Sequence, residues 1–467
     1  MRVLVRFANE IYLKSAHVRT RFQRQLQHNI ALALPTAQMH AAWNRILLQL
    51  PDAEGDDERR LEVLTRIAGI GSYSPIISSC AADLEQIVAS GAAQFQAAVH
   101  GKSFAVRAKR IFKHAFTSKD IEIALGAKLV AAAAKVDLRQ PDITVHVEVH
   151  RQEAVFFTDV VAGVSGLPIG TGGRGIALIS GGFDSIVAAK LMYGRGVKLD
   201  YVFANLPGDR AHAASVLQII KTLWQRYGIG DEDACIYHIN YQPLLAAMRE
   251  RIAPRYQQVI LKRLLYRSAE LLGAQHQAIV TGESIGQVSS QTLANLVAIE
   301  AAVAMPVLRP LIAHHKEQII AITRAMGMYQ QCANIQEYCQ LTDAKPVTNM
   351  SADKVQNLDA DILAMLPAQL EQAECLKLAE IKTDDVSRFR HVGDIPADAV
   401  LIDCRSDNEY QQSARPNFQH FPYQRLIANF QQFDKTKTYL IYCQSGLQST
   451  AVAALMQDSG YHAYSVS

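Results

Sequence analysis

Residues 176–187 read Ile-Ala-Leu-Ile-Ser-Gly-Gly-Phe-Asp-Ser-Ile-Val, and no other stretch restricts the fold as much. The apolar run 176–179 suits a buried parallel strand, and it stops at the turn formers Ser180-Gly181-Gly182. Apolar positions at helical spacing follow: Ile186, Val187, Ala189 and Leu191. A strand that enters a helix through a glycine-bearing loop leaves backbone N–H groups unpaired at the helix N-terminus. Those donors and the helix dipole both favour an anion such as phosphate. The Gly-Lys-Ser/Thr ending of a Walker-type loop is absent, so an ordinary P-loop is not supported. The surrounding segment alternates strand and helix patterns. Strands are expected at 176–180, 199–204, 234–239 and 277–281, and helices at 185–195, 212–227, 254–272 and 315–327. That alternation predicts an α/β, doubly wound parallel sheet. Ligands of such sheets bind beyond the carboxyl ends of the strands, where Ser180, Asn205 and Thr281 fall.

The remainder of the 467 residues has room for further domains, with roughly three expected from length alone. A hydrophobic share of 49% with 19% charged residues is ordinary for a globular chain. No apolar run approaches the length of a membrane-spanning helix, and Met-Arg-Val-Leu-Val-Arg-Phe turns polar too soon for a signal peptide. A cytoplasmic protein without membrane contact is the expectation. The seven cysteines form no Cys-x-x-Cys pair, which argues against a zinc ribbon and leaves buried thiols with one or two catalytic ones. The net charge of +3 hides an asymmetry. Residues 1–30 and 101–120 each carry six Lys/Arg against one acid, whereas 348–467 carry ten against fifteen. A basic front and an acidic back suggest that the front meets a polyanion.

Residues 1–58 suggest a ferredoxin-like β-α-β module, with a helix that carries Lys14, Arg19, Arg21 and Arg24 between two apolar strands. Residues 59–166 suggest a second α/β unit. A helix is expected at 84–98 and a strand at 103–110, followed by a helix over 120–135 and an alternating strand at 143–149. Arg107, Lys109, Arg110 and Lys113 cluster on and after the 103–110 strand. Cations arranged in this way position a phosphate backbone without reading bases. Residues 167–175 are dense in glycine and read as the linker into a domain at 171–345. Residues 346–392 are polar and in part helical, and are read as a second linker. From 393 a small α/β domain follows, in which a buried strand delivers Cys443 into a short loop before a helix.

Several of these pieces resemble known families. Ser180-Gly181-Gly182-Phe183-Asp184-Ser185 resembles the PP-loop of ATP pyrophosphatases, which adenylylate a carbonyl oxygen and release pyrophosphate. The segment around Phe104-Ala-Val-Arg-Ala-Lys-Arg110 resembles a THUMP domain, an RNA-binding module. Asp403-Cys-Arg-Ser with Cys443-Gln-Ser-Gly-Leu-Gln-Ser449 resembles a rhodanese domain; Ser449, where a phosphatase loop has arginine, argues against phosphatase chemistry. Together with Glu10-Ile-Tyr-Leu-Lys-Ser, Thr281-Gly-Glu-Ser-Ile-Gly-Gln-Val-Ser-Ser-Gln-Thr292, Leu308-Arg-Pro-Leu-Ile and Glu337-Tyr-Cys339, the whole chain resembles the tRNA 4-thiouridine synthetases.

That resemblance implies an ATP-dependent tRNA sulfurtransferase that adenylylates uridine O4, expected at uridine 8, and replaces the oxygen with persulfide sulfur. Ser180, Gly181, Gly182 and Ser185 would hold the pyrophosphate end of ATP, and Leu178 and Ile179 would bracket the adenine. Lys262, Gly282 and Gln291 would complete the nucleotide site. Asp184 is compatible with holding Mg²⁺ and with capping the helix. Lys316 would offset charge on the phosphates, or else be an ordinary surface lysine. Cys443 would carry the persulfide from a cysteine desulfurase, which calls for an exposed thiol of lowered pKa. Cys339 would resolve it through a transient 339–443 disulfide, with Cys332 as the nearby alternative. His315 stands where relatives often have an acid, and Ser445 where they often have a base. Some relatives also supply sulfur for the thiazole of thiamine, and a homodimer stays open. The competing readings are another PP-loop RNA thiolase or ligase, and a sulfur carrier without tRNA activity.

Overall fold

The computed structural model describes all residues except 43–44, 52–56, 207–209, 334, 336–344, 382–398, 414, 444–446 and 467. The chain divides into two compact units, Met1–Gly172 with Gly194–Gly196, and Gly173–Tyr193 with Val197–Ser467.

The first unit holds two five-stranded sheets. In one, Arg2–Phe7 lies between Arg45–Gln49 and Ile70–Ile76, with all pairings antiparallel. The strand 70–76 therefore belongs with the N-terminal module, so the expected division at 58/59 falls too early. Val161–Ala162 returns to the same sheet beside Ile70–Ile76. In the other sheet, Ser103–Arg110 runs parallel to Ile143–Val149 along its whole length. Leu84–Phe95 and Ser118–Leu129 cover it, burying Ile87, Phe95, Ile121, Leu125 and Leu129 against Phe104, Val106, Val145 and Val147. Both helices end earlier than the sequence suggests. Thr117 and Asp120 form a reciprocal capping box at the start of the second.

Glu148 is 2% exposed and lies at the junction of these sheets, where Arg45 reaches it at 2.8 Å and Arg6 at 3.4 Å. Burial alone would raise its carboxyl; the hydrogen bond and charge of Arg45, aided by Arg6, hold it below the usual range. A buried charge persists only with such partners.

The second unit contains a six-stranded sheet in the order Val307–Leu308, Ala278–Val280, Arg174–Leu178, Lys198–Asn205, Cys235–Asn240 and Glu374–Lys377. The first five are parallel, as expected of a doubly wound sheet. The sixth is antiparallel to Cys235–Asn240. This edge strand and the helix Ala352–Leu370 lie inside the segment read as a linker. The helix buries Val355, Ile362, Leu366 and Leu370 in the same core as Ile176, Val202, Leu264 and Ile279. The linker expectation is therefore corrected: 352–377 is part of the domain.

The smaller sheet runs Gln419–His420, Val400–Asp403, Thr438–Tyr442 and His462–Val466, parallel throughout. Leu447–Asp458 follows the third strand, as the sequence suggests. Among the described residues no helix is long and apolar enough to cross a membrane.

Candidate active site

Strand order places the site. Arg174–Leu178 lies between Lys198–Asn205 and Ala278–Val280, so the chain reverses its direction of winding at the end of this central strand. Crevices open at such switch points. The loop that leaves the strand turns at Gly181, whose φ is +80°. A Cβ there would also come within 2.9 Å of the Val216 side chain. Phe183–Tyr193 then starts as a helix, with Ile186, Val187, Ala188, Ala189, Met192 and Tyr193 buried.

Inside the loop the two serines hold each other. Ser180 N–H donates to Ser185 Oγ at 3.3 Å, and the two hydroxyls are 3.5 Å apart. Gly182 N–H reaches Ser180 Oγ at 3.4 Å, while Ser185 Oγ–H reaches Gly182 O at 3.2 Å. These long contacts leave a ring of hydroxyls and N–H groups able to turn toward an anion at the helix start. Asp184 lies within the first turn of this helix. Its Oδ1 accepts from Lys316 Nζ at 2.8 Å and its Oδ2 from Gln287 Nε2 at 2.7 Å. Lys316 thus reaches the loop through Asp184, and its Nζ also lies 5.6 Å from the centre of the Phe183 ring. His315 is exposed and directly precedes the helix Lys316–Ala325; its backbone N–H donates to Gln318 Oε1 at 2.9 Å.

A cavity of about 170 Å³ opens beside this loop. Its lining includes Leu178, Ile179, Ser180, Asp184, Ser185, Lys262, Gly282 and Gln291, so eight of the residues expected around a nucleotide share one space. Gly282 is needed for this closeness, because a Cβ there would sit 2.5 Å from Asp184 C and 2.7 Å from Ser185 N. Cavities that are mostly apolar with a few converging polar groups are the usual form of a cofactor site.

The sequence reading missed the floor of the cavity. Glu283 is 1% exposed and accepts from Tyr266, from Arg309 Nε at 3.1 Å and from Thr281 Oγ1 at 3.1 Å. Its other oxygen is 3.8 Å from Lys262 Nζ. Burial and this carboxylate hold the Tyr266 phenol far above its ordinary value. Burial opposes the Arg309 charge, but Tyr266, Glu300 and Glu283 outweigh it and raise its pKa. Only the Thr-Gly-Glu-Ser motif could have pointed to this network. No group of three or more His, Cys, Asp or Glu gathers for a metal among the described residues. A Mg²⁺ at Asp184 would therefore rest on one carboxylate, water and substrate phosphates, a donor set that Mg²⁺ commonly takes.

At the small sheet, Cys443 follows the strand Thr438–Tyr442 and is 3% exposed. An exposed thiol was expected, and the structure corrects this. The sulfur is packed against Ser449, whose N–H and Oγ each lie 3.3 Å from it. Asp403 and Arg405, both buried, form a bidentate pair with contacts of 2.6–3.1 Å at the neighbouring strand end. Cys339 lies outside the described residues. Burial pushes the thiol of Cys332, seven positions earlier in the chain, up to about 12.

The expected RNA contacts fall in two places within the first unit. Arg21 lines a hollow with His17, Thr20 and Arg24, and Lys14 and Arg19 lie on or beside the same helix. Lys109 and Arg110 line another cavity with Arg6, Tyr12 and Arg45, two cations that the sequence reading passed over. Arg107 and Lys113 are exposed. Arg110 donates to the carbonyls of Phe116 and His114, so it shapes the following turn as well as lining the cavity.

Comparison with known proteins agrees in every domain. Family models match as "Thiamine biosynthesis protein (ThiI)" over 170–363, THUMP domain over 81–159, ThiI ferredoxin-like domain over 2–74 and rhodanese-like domain over 390–467. The tRNA sulfurtransferases of Proteus mirabilis and Shewanella woodyi are 32% and 34% identical, each over 99% of this chain and 98% of the relative. That of Thermoplasma acidophilum is 34% identical over 99% of this chain and 94% of its own. A crystal structure described as a 4-thiouridine synthetase–RNA complex with bound ATP aligns over 80% of this chain and 99% of its own. Its TM-score is 0.70 at 27% identity. PH1313 from Pyrococcus horikoshii shares the fold over 70% of this chain, with a TM-score of 0.54. With relatives above 30% identity over nearly its whole length, the chain belongs to the tRNA sulfurtransferase family.

Proposed function

We propose that the chain makes 4-thiouridine in tRNA, expected at uridine 8, by adenylylating O4 in the cavity beside the 180–185 loop and replacing the oxygen with sulfur carried on Cys443. The observation that carries this reading is the convergence of Ser180, Asp184, Lys262, Gly282 and Gln291 on one cavity, with Lys316 joined to Asp184. Uridine O4 is a poor leaving group, and attachment to AMP makes it a good one. Leu178 and Ile179 hold the adenine edge. Ser180, Gly181, Gly182 and Ser185 hold the pyrophosphate, and Lys316 offsets the charge that grows as pyrophosphate leaves. Bound Mg²⁺ at Asp184 would further neutralise the phosphate oxygens.

The ATP and RNA held together by the solved relative support the same pair of substrates here. Lys14, Arg19, Arg21, Arg107, Lys109, Arg110 and Lys113 grip the tRNA backbone, by shape and charge more than by base edges. A cysteine desulfurase loads Cys443, and Cys339 resolves the sulfur adduct. The matched family description adds a second reading, sulfur supply to the thiazole of thiamine. It is checked by whether persulfidated chain supports thiazole formation in a reconstituted reaction.

The test is transfer of radioactive sulfur from cysteine, through a desulfurase, to unmodified tRNA with ATP and Mg²⁺. Wild type labels tRNA. Asp184→Ala still accepts sulfur on Cys443 but leaves tRNA unlabelled, and Cys443→Ala blocks both. Loaded Cys443 with unlabelled tRNA in the wild type would make the chain a sulfur carrier for another pathway.

A further inference from the structure

Two thiols, not one, stand at the end of the small sheet. The strands Val400–Asp403 and Thr438–Tyr442 are parallel neighbours in which Asp403 is paired with Tyr442. The next residue on each is a cysteine. Cys404 N–H donates to Tyr442 O at 2.8 Å, which keeps the ladder intact up to the pair. Cys404 is fully buried and shares one apolar cluster with Cys443. The two side chains are within hydrogen-bonding reach of each other. Ser449 also contacts the Cys443 sulfur, and the Asp403–Arg405 pair fixes the strand end that bears Cys404. Adjacent strands run about 4.8 Å apart, inside the roughly 4.4–6.8 Å between Cα atoms that a disulfide spans.

We propose that Cys404 is a resolving nucleophile for Cys443, able to complete sulfur transfer within the small domain. This rests on the reading of Cys443 as the persulfide carrier. After the outer persulfide sulfur has displaced AMP at C4, Cys443 Sγ is joined through that sulfur to the uridine. The Cys404 sulfur lone pair forms a bond to Cys443 Sγ. The bond from Sγ to the outer sulfur breaks, and its electron pair leaves with the 4-thiouridine sulfur. The Cys404 proton goes to that leaving sulfur or to solvent. A Cys404–Cys443 disulfide remains, and a dithiol reductant returns both thiols with two electrons.

The pair is also self-timed. The contact with Cys443, burial and Asp403 all push the Cys404 thiol far above its ordinary value. Cys404 therefore keeps its proton in the resting pair. Once Cys443 is tied into a sulfur–sulfur bond, the part of this opposition that comes from its thiol is removed, while burial and Asp403 remain.

The test uses the full chain as Cys339→Ser. It is loaded through a desulfurase with cysteine, then given tRNA and ATP without reductant. Non-reducing digestion and mass spectrometry follow. A peptide pair linked through Cys404 and Cys443 is expected, rising with the 4-thiouridine formed. Adding Cys404→Ala removes the linked pair and leaves tRNA attached to Cys443. Persulfide uptake on Cys443 serves as the check that this variant folds, and Cys404→Ser repeats it. The inference is overturned if Cys339→Ser carries persulfide and consumes ATP without forming the linked pair. It is equally overturned if the double variant releases 4-thiouridine as fast as the single one. If Cys443 never takes up sulfur in the wild type, the carrier reading has failed and this inference falls with it.

Discussion

Gly282→Ala isolates the geometry of the nucleotide site from its chemistry, because it removes no functional group. The added methyl would stand 2.5 Å from Asp184 C, 2.7 Å from Asp184 O and 2.7 Å from Ser185 N. All three are backbone atoms at the start of a helix, so no side chain can swing away. Ordinary contact begins near 3.4 Å, so the loop and the helix start must part by about 0.9 Å. Overpacking of this kind costs about 1–3 kcal/mol of stability. At roughly 2–4 °C per kcal/mol for a domain of this size, the melting point should fall by about 2–12 °C. Rate suffers more, since a displacement of about 1 Å in a reacting geometry can cost on the order of 10²-fold. The assay is tRNA-dependent pyrophosphate release from ATP, read beside thermal unfolding. Gly126→Ala is the control, since nothing lies within 4 Å of its Cβ and helix propensity favours alanine. A Gly282→Ala rate within a few-fold of wild type would refute the claim that this contact sets the site.

Lys316→Met breaks the 2.8 Å contact to Asp184, with side chains 38% and 19% exposed. Stability should change by less than about 1 kcal/mol, while pyrophosphate release falls about 10²–10³-fold. Lys109→Ala and Lys113→Ala should each weaken tRNA binding without regard to sequence, and each should flatten the plot of log affinity against log salt by about one contact. Asp231 is fully buried, and burial lifts its pKa from 3.8 to about 6 despite the Leu199 N–H and Arg174. A raised acid binds more protons folded than unfolded, so its contribution to stability is lost as pH climbs from about 4 to about 6. The full loss amounts to about 3 kcal/mol. Asp231→Asn should remove that part of the slope in urea unfolding at pH 4.5 and 7.5. Asp359→Asn strands the buried guanidinium of Arg263, 2.5 Å away, and should cost about 3–5 kcal/mol by the same assay.

How much of this could be read in advance follows from the range of the interactions. The 180–185 loop is local, with strand, glycines and helix consecutive, so its form was legible from residues 176–187 alone. Lys316 was reachable only through a motif, since 132 positions separate it from Asp184. The Glu283 network was not legible, because Tyr266 and Arg309 meet it only after three chain segments pack together. The burial of Cys443 and its contact with Cys404 depend on which strands neighbour each other, and neither cysteine's own flanks encode that.

The segment 352–377 is a different kind of miss, since its signal was present. Val355, Ile362, Leu366 and Leu370 recur at helical spacing, but Pro367 and the many polar residues between them hid the pattern. The structure shows why so polar a helix is retained. Asp359 is fully buried, and its pair with Arg263 ties this helix to Pro254–Leu272. Arg263 directly follows Lys262, which lines the cavity beside the 180–185 loop. A break in the buried pair therefore acts on the backbone that carries Lys262, one residue from the cavity wall. Glu283 lies 3.8 Å from Lys262 Nζ, so one buried carboxylate meets the lysine itself while the other, Asp359, holds the next residue of its helix. The stretch that looked like a tether is thus part of what holds the cavity in shape.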